Sequence, residues 1–82
     1  MTNKHIPNNL RECRKKCGLT QAQVAEKLGF KSTDRLCRWE QGQTFPHVTN
    51  LFKLHQIYNV LPHELYSEYI NQLNNTSISE TL

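Results

Sequence analysis

From residue 8 to about residue 70 the apolar positions recur with helical period, in short runs divided by polar turns. Leu10, Cys13, Arg14 and Cys17 fall at i, i+3, i+4 and i+7, one face of a first helix. Pro7-Asn8-Asn9 precedes it, with Asn8 a candidate cap, and Gly18 ends it. Thr20-Gln21-Ala22-Gln23 is a capping box, in which the threonine hydroxyl takes an orphan amide and Gln23 reaches back. Val24, Ala25 and Leu28 behind it make the apolar stripe of a second helix, stopped by Gly29. Ser32-Thr33-Asp34 starts a third, with Ser32 the expected cap, and Gly42 stops it. Past the loop Gln43-Thr44-Phe45-Pro46, the residues Val48, Leu51, Phe52, Leu54, His55 and Tyr58 mark a fourth helix. Leu61-Pro62 opens a fifth, carrying Leu65, Tyr66, Tyr69 and Ile70.

No run alternates with strand period, no segment repeats, and no linker divides the chain. The expected architecture is all-α: a compact bundle of five short helices over residues 8–70. A polar N-terminal arm, 1–7, and a polar tail, 71–82, flank it. The tight turn Gly29-Phe30-Lys31 between the second and third helices has the geometry of a helix-turn-helix.

Charge sharpens this picture. Of 82 residues, those at 1–42 carry nine Lys and Arg against four Asp and Glu, a balance of +5. Residues 43–82 carry one against three, a balance of −2. Such one-sided basicity is what a polyanion footprint needs, and many solvated surfaces share it. No apolar run approaches a membrane span, and the N-terminus MTNKHIPNN lacks a signal-peptide core. Three cysteines without an export signal predict free thiols in a cytoplasmic protein.

The third helix concentrates the chemistry. At 100° per residue Leu36 and Trp39 share one side, the core side, with Glu40 nearby. The opposite side presents Thr33, Asp34, Cys37, Arg38 and Gln41, with Arg35 at its edge. An α-helix fits the DNA major groove, where an arginine takes guanine O6 and N7 together. Arg38 is the candidate for that contact. Thr33 suits a base edge or a thymine methyl. Asp34 either accepts from cytosine N4 or complements the helix dipole. Gln21, Lys31, Gln43 and Thr44 suit the phosphate backbone, and Ser32 and Arg35 complete the candidate set.

The run Arg14, Gly18-Leu19-Thr20-Gln21, Val24-Ala25, Leu28-Gly29, then Leu36-Cys37-Arg38-Trp39-Glu40-Gln41-Gly42 and Pro46, resembles the Cro/cI-type (XRE-type) helix-turn-helix family over about residues 8–68. The resemblance implies a five-helix lambda-repressor-like domain whose third helix reads the major groove through Thr33, Asp34 and Arg38, supported by Gln21. It also implies a buried ion pair between Arg14 and Glu40. The turn between Gly29 and Trp39 is one residue longer than the commonest family form, with Phe30 expected in the core.

The same residues admit other readings. Cys13 and Cys17 with four scattered histidines give no Cys-x-x-Cys and no convergent zinc set, so no metal and no cofactor is expected, and the two thiols read as part of the first helix's apolar stripe. No nucleophile–base arrangement, phosphate loop or carboxylate pair points to an enzyme. The expected partner is double-stranded DNA, bound by a homodimer on a palindrome. Leu61, Leu65, Tyr66, Tyr69 and Ile70 are the candidate dimer surface, with closure of the core as the competing role. An antitoxin or adaptor role, with a toxin or another regulator as partner, is the alternative function.

Overall fold

A computed structural model describes residues 5–74. Among these residues the chain forms six helices and no strand: α1 (Leu10–Lys16), α2 (Gln21–Leu28), α3 (Asp34–Glu40), α4 (Val48–Tyr58), α5 (Pro62–Leu65) and α6 (Ser67–Leu73). None is long and apolar enough to cross a membrane.

One core joins them. Leu10, Val24, Leu28, Leu36, Trp39, Leu54, Tyr58, Leu65 and Tyr66 are buried together. Ala25, 3% exposed, lets its neighbours approach closely. The helix starts show why these segments are helical. Thr20 Oγ1 accepts from the Gln23 amide at 3.1 Å, and Gln23 Oε1 accepts from the Thr20 amide at 2.9 Å, a complete capping box. Gly29 ends α2 in the left-handed region, φ 82°, where a β-carbon is costly.

Several expectations need correction. The single fifth helix is two, because Tyr66 leaves helical geometry at φ −131°, ψ 35°. That break turns its ring into the core, where it is 6% exposed and meets Phe45 at 5.4 Å between centroids. Helix α6 then continues to Leu73, past the expected boundary at residue 70; the rest of the expected tail, 75–82, lies outside the described residues. Ser32 is not the cap residue of α3. Thr33 holds that slot without a side-chain cap bond, and Ser32 Oγ accepts from the Asp34 amide at 3.4 Å. Asn9, not Asn8, precedes α1, yet it is Asn8 Oδ1 that accepts from the Leu10 amide at 3.1 Å. Cys17 is exposed, since its Sγ lies at the helix end and donates to the Tyr58 carbonyl at 3.6 Å. Cys13 is half-buried, and burial pushes its thiol pKa up.

Candidate nucleic-acid interface

The third helix is held from behind by a charged network. Arg14 Nε donates to Glu40 Oε2 at 2.7 Å and Arg14 Nη2 to Glu40 Oε1 at 3.1 Å, a two-pronged pair. The Glu40 side chain is 3% exposed. Its second neighbour is Gln21, whose Nε2 donates to Oε1 at 3.0 Å. Arg14 Nη1 donates to the Leu19 carbonyl at 3.0 Å. One carboxylate therefore ties α1, the start of α2 and the end of α3 together. The hydrogen bond to Glu40 holds the Arg14 guanidinium even more firmly protonated than usual. Gln21, expected on phosphate, spends its amide inside this network.

Apolar contacts complete the mounting. Leu36 is fully buried and Trp39 is 4% exposed. Phe30, on the long turn, meets Trp39 edge-on at 5.8 Å with 70° between planes. Arg35 does not extend freely: its guanidinium carbon lies 4.6 Å from the Phe30 centroid, a cation–π contact. The Phe30 ring thus braces Trp39 on one side and Arg35 on the other.

On the outer face Asp34 and Arg38 are exposed, while Thr33 and Cys37 are half-buried. Lys31 and Ser32 are exposed on the turn, and Gln43 and Thr44 are exposed just past the helix. Gln43 Nε2 donates to Gln41 Oε1 at 2.8 Å, aligning two amides along the helix end. An open groove between α1, the start of α2 and α3 is lined by Arg11, Arg14, Thr20, Gln21, Cys37 and Gln41. Arg11 belongs to this rim and was absent from the expected set. Its position three residues before Arg14, on the same helical face, is the signal that finds it.

The proposed dimer residues separate. Leu65 is fully buried and Tyr66 is 6% exposed, so both close the core and are removed from the candidate surface. Tyr69 and Ile70 are half-buried, and Leu61 is 50% exposed. Exposed apolar side chains that the sequence reading did not assign to that surface are Phe45, Val48, Phe52 and Leu73. Phe45 packs on Tyr69 at 5.3 Å, which joins the loop after α3 to α6.

Among the described residues no group of three or more His, Cys, Asp or Glu is placed to hold a metal ion. A helix-turn-helix family model of the XRE type matches residues 10–65, from the first residue of α1 to the last of α5. No curated protein and no solved structure was found to match the chain.

Proposed function

From the premise that the chain belongs to the XRE-type helix-turn-helix family, and so is a DNA-binding regulator, we propose that it is a repressor that occupies a palindromic operator as a homodimer. One observation carries this reading: α3 presents exposed Arg38 on one face while Leu36, Trp39 and the Arg14–Glu40 pair lock the other. A rigid arginine on an outward helix suits bidentate contact with guanine in the major groove. Thr33 and Asp34 flank it on the same side. Lys31, Ser32, Arg35, Gln43 and Thr44 are the backbone-contact set, with Arg11 added, while Gln21 supports the reading helix through Glu40. Repression follows as the simplest output of a bound operator, and the site of action is the cytoplasm.

Dimerisation gives a small module a second set of base contacts, with half-sites about 34 Å apart. The stripe from Phe45 through Val48 and Phe52 begins just after Gly42, where α3 ends. The same exposed apolar stripe also favours a second reading, in which it receives a toxin or another regulator.

Selection from a random duplex pool at fixed salt, with wild type and Arg38→Ala, tests the proposal. Wild type should enrich a palindrome, and Arg38→Ala should lose one guanine preference per half-site, by about 1–3 kcal/mol. Binding should fall steeply with added salt, as phosphate neutralisation releases counterions. Enrichment of no sequence would overturn the operator reading in favour of the protein-partner one.

A further inference from the structure

The segment leading into α1 runs across the end of the recognition helix. The Ile6 amide donates to the Gly42 carbonyl at 2.9 Å. Asn8 Nδ2 lies within donor distance of three carbonyls: Ile6 at 3.0 Å, Trp39 at 3.2 Å and Glu40 at 3.4 Å. Asn8 Oδ1 meanwhile accepts from the Leu10 amide. One side-chain amide therefore serves carbonyls at the end of α3 and an orphan amide at the start of α1.

The end of α3 is built for this passage. Gly42 has φ 76° and closes a Schellman turn, in which the Gly42 amide donates to the Trp39 carbonyl at 3.0 Å and the Gln43 amide to the Arg38 carbonyl at 2.9 Å. A β-carbon on Gly42 would stand 2.6 Å from the Ile6 carbonyl oxygen and 2.7 Å from the His5 ring. The left-handed turn and the overlying strap both require glycine here. The strap is itself anchored on its other side. The Asn9 amide donates to the Leu65 carbonyl at 2.8 Å, and Asn9 Nδ2 donates to the Glu64 carbonyl at 2.8 Å. Ile6 packs against the core.

We infer that Asn8 is a positioning residue for DNA reading, which sets the tilt of the recognition helix by tethering its C-terminal carbonyls to the start of α1. The inference rests on the DNA-reading proposal above. Helix α3 is short, about 10 Å, and a tilt of about 10° shifts one end by roughly 2 Å relative to the other. Displacements of that size break a bidentate base contact, whose hydrogen bonds tolerate only a few tenths of an ångström. Contacts to phosphate come from several long side chains and absorb the same shift.

The test compares wild type, Asn8→Asp and Asn8→Ala on the selected operator and on a scrambled duplex. Asn8→Asp keeps the acceptor for the Leu10 amide, loses the donor to the Ile6, Trp39 and Glu40 carbonyls and sets a negative oxygen against them; Asn8→Ala loses donor and acceptor without adding charge. Active protein is titrated and binding is measured well below each variant's melting temperature. The expected result is a fall of about tenfold in the operator-to-scrambled affinity ratio for both variants, equivalent to about 1.4 kcal/mol. Gly42→Ala, which drives the strap away from α3, should lower the ratio in the same direction. A lowered melting temperature with an unchanged ratio would overturn the inference, because a purely structural role moves stability and not discrimination. An Asn8→Asp ratio equal to wild type would also overturn it, by reducing Asn8 to a cap for α1. If wild type itself shows no preference for the operator, the DNA reading fails and this inference falls with it.

Discussion

Between Arg14 and Gln41 no large apolar side chain is exposed, whereas between Phe45 and Leu73 five of them stand exposed by 40% or more. The first region covers its helices with polar groups and uses a buried carboxylate, Glu40, to hold three of them in register. Among the described residues the second has no buried charged group and leans on apolar burial: Leu54, Tyr58, Leu65 and Tyr66 lie in the core, and the hydroxyls of Tyr58 and Tyr66 are buried with no hydrogen-bond partner. The difference teaches how a small domain can divide its work. A face that must hold a fixed polar pattern needs directional bonds behind it. A face that meets another apolar surface needs only exposed area over a packed floor.

The largest effect expected from breaking this division is in the first region. Arg14→Ala leaves Glu40 buried without its charge partner and should cost about 3–5 kcal/mol, read by urea unfolding. A loss below about 1 kcal/mol would mean that Gln21 and water suffice for the carboxylate, and that the network is not what holds α3.

The second region is tested by a pair of variants. Leu65→Ala should cost about 2–5 kcal/mol through the cavity it opens, with little change in self-association. Phe52→Ser removes an exposed ring, 54% accessible, and should change stability by no more than about 0.5 kcal/mol while weakening any dimer seen by sedimentation. The reverse outcome would make Phe52 core and Leu65 surface, against their burial.

Alkali should act on the second region first. Burial holds the Tyr66 hydroxyl up at about 12, against an ordinary 10, and pushes Tyr58 up as well, aided by the Glu40 charge. Above pH 10 the unfolded tyrosines lose protons that the folded ones keep. The tyrosines' contribution to stability is therefore complete below pH 10 and falls as pH rises toward 12, by roughly 1 kcal/mol per tyrosine at pH 11. Unfolding curves at pH 8 and pH 11, with Tyr66→Phe as the control, check this; the variant should lose less stability between the two. Thr20→Ala, a single lost hydrogen bond in the first region, should cost about 1 kcal/mol through loss of the α2 cap.

Much of the first region is legible in residue order because its signals are local. The capping box at Thr20, the glycine stops at Gly29 and Gly42, and the apolar side formed by Leu36 and Trp39 each depend on residues within four positions of one another. The pairing of Arg14 with Glu40 spans 26 positions and is present in the structure. It came from the family resemblance, and the helical face only made room for it. The strap over Gly42 spans more than 30 positions and leaves no local trace, since Asn8 reads equally well as a helix cap.

By itself the sequence determined that the chain is helical, where α1 to α4 lie to within about two residues, and which side of α3 is polar, because helix period, caps and glycine stops are short-range properties of the chain. Tertiary structure alone decided that the helix after Pro62 breaks at Tyr66, that Leu65 and Tyr66 are floor rather than surface, and that Arg35 is stacked on Phe30. It also decided that Asn8 serves two helices at once. Each of these depends on which distant side chain or carbonyl happens to face the residue. An apolar residue can bury or protrude with the same periodicity, and an asparagine can donate to any carbonyl within reach. Only the packing of the whole chain selects among those outcomes.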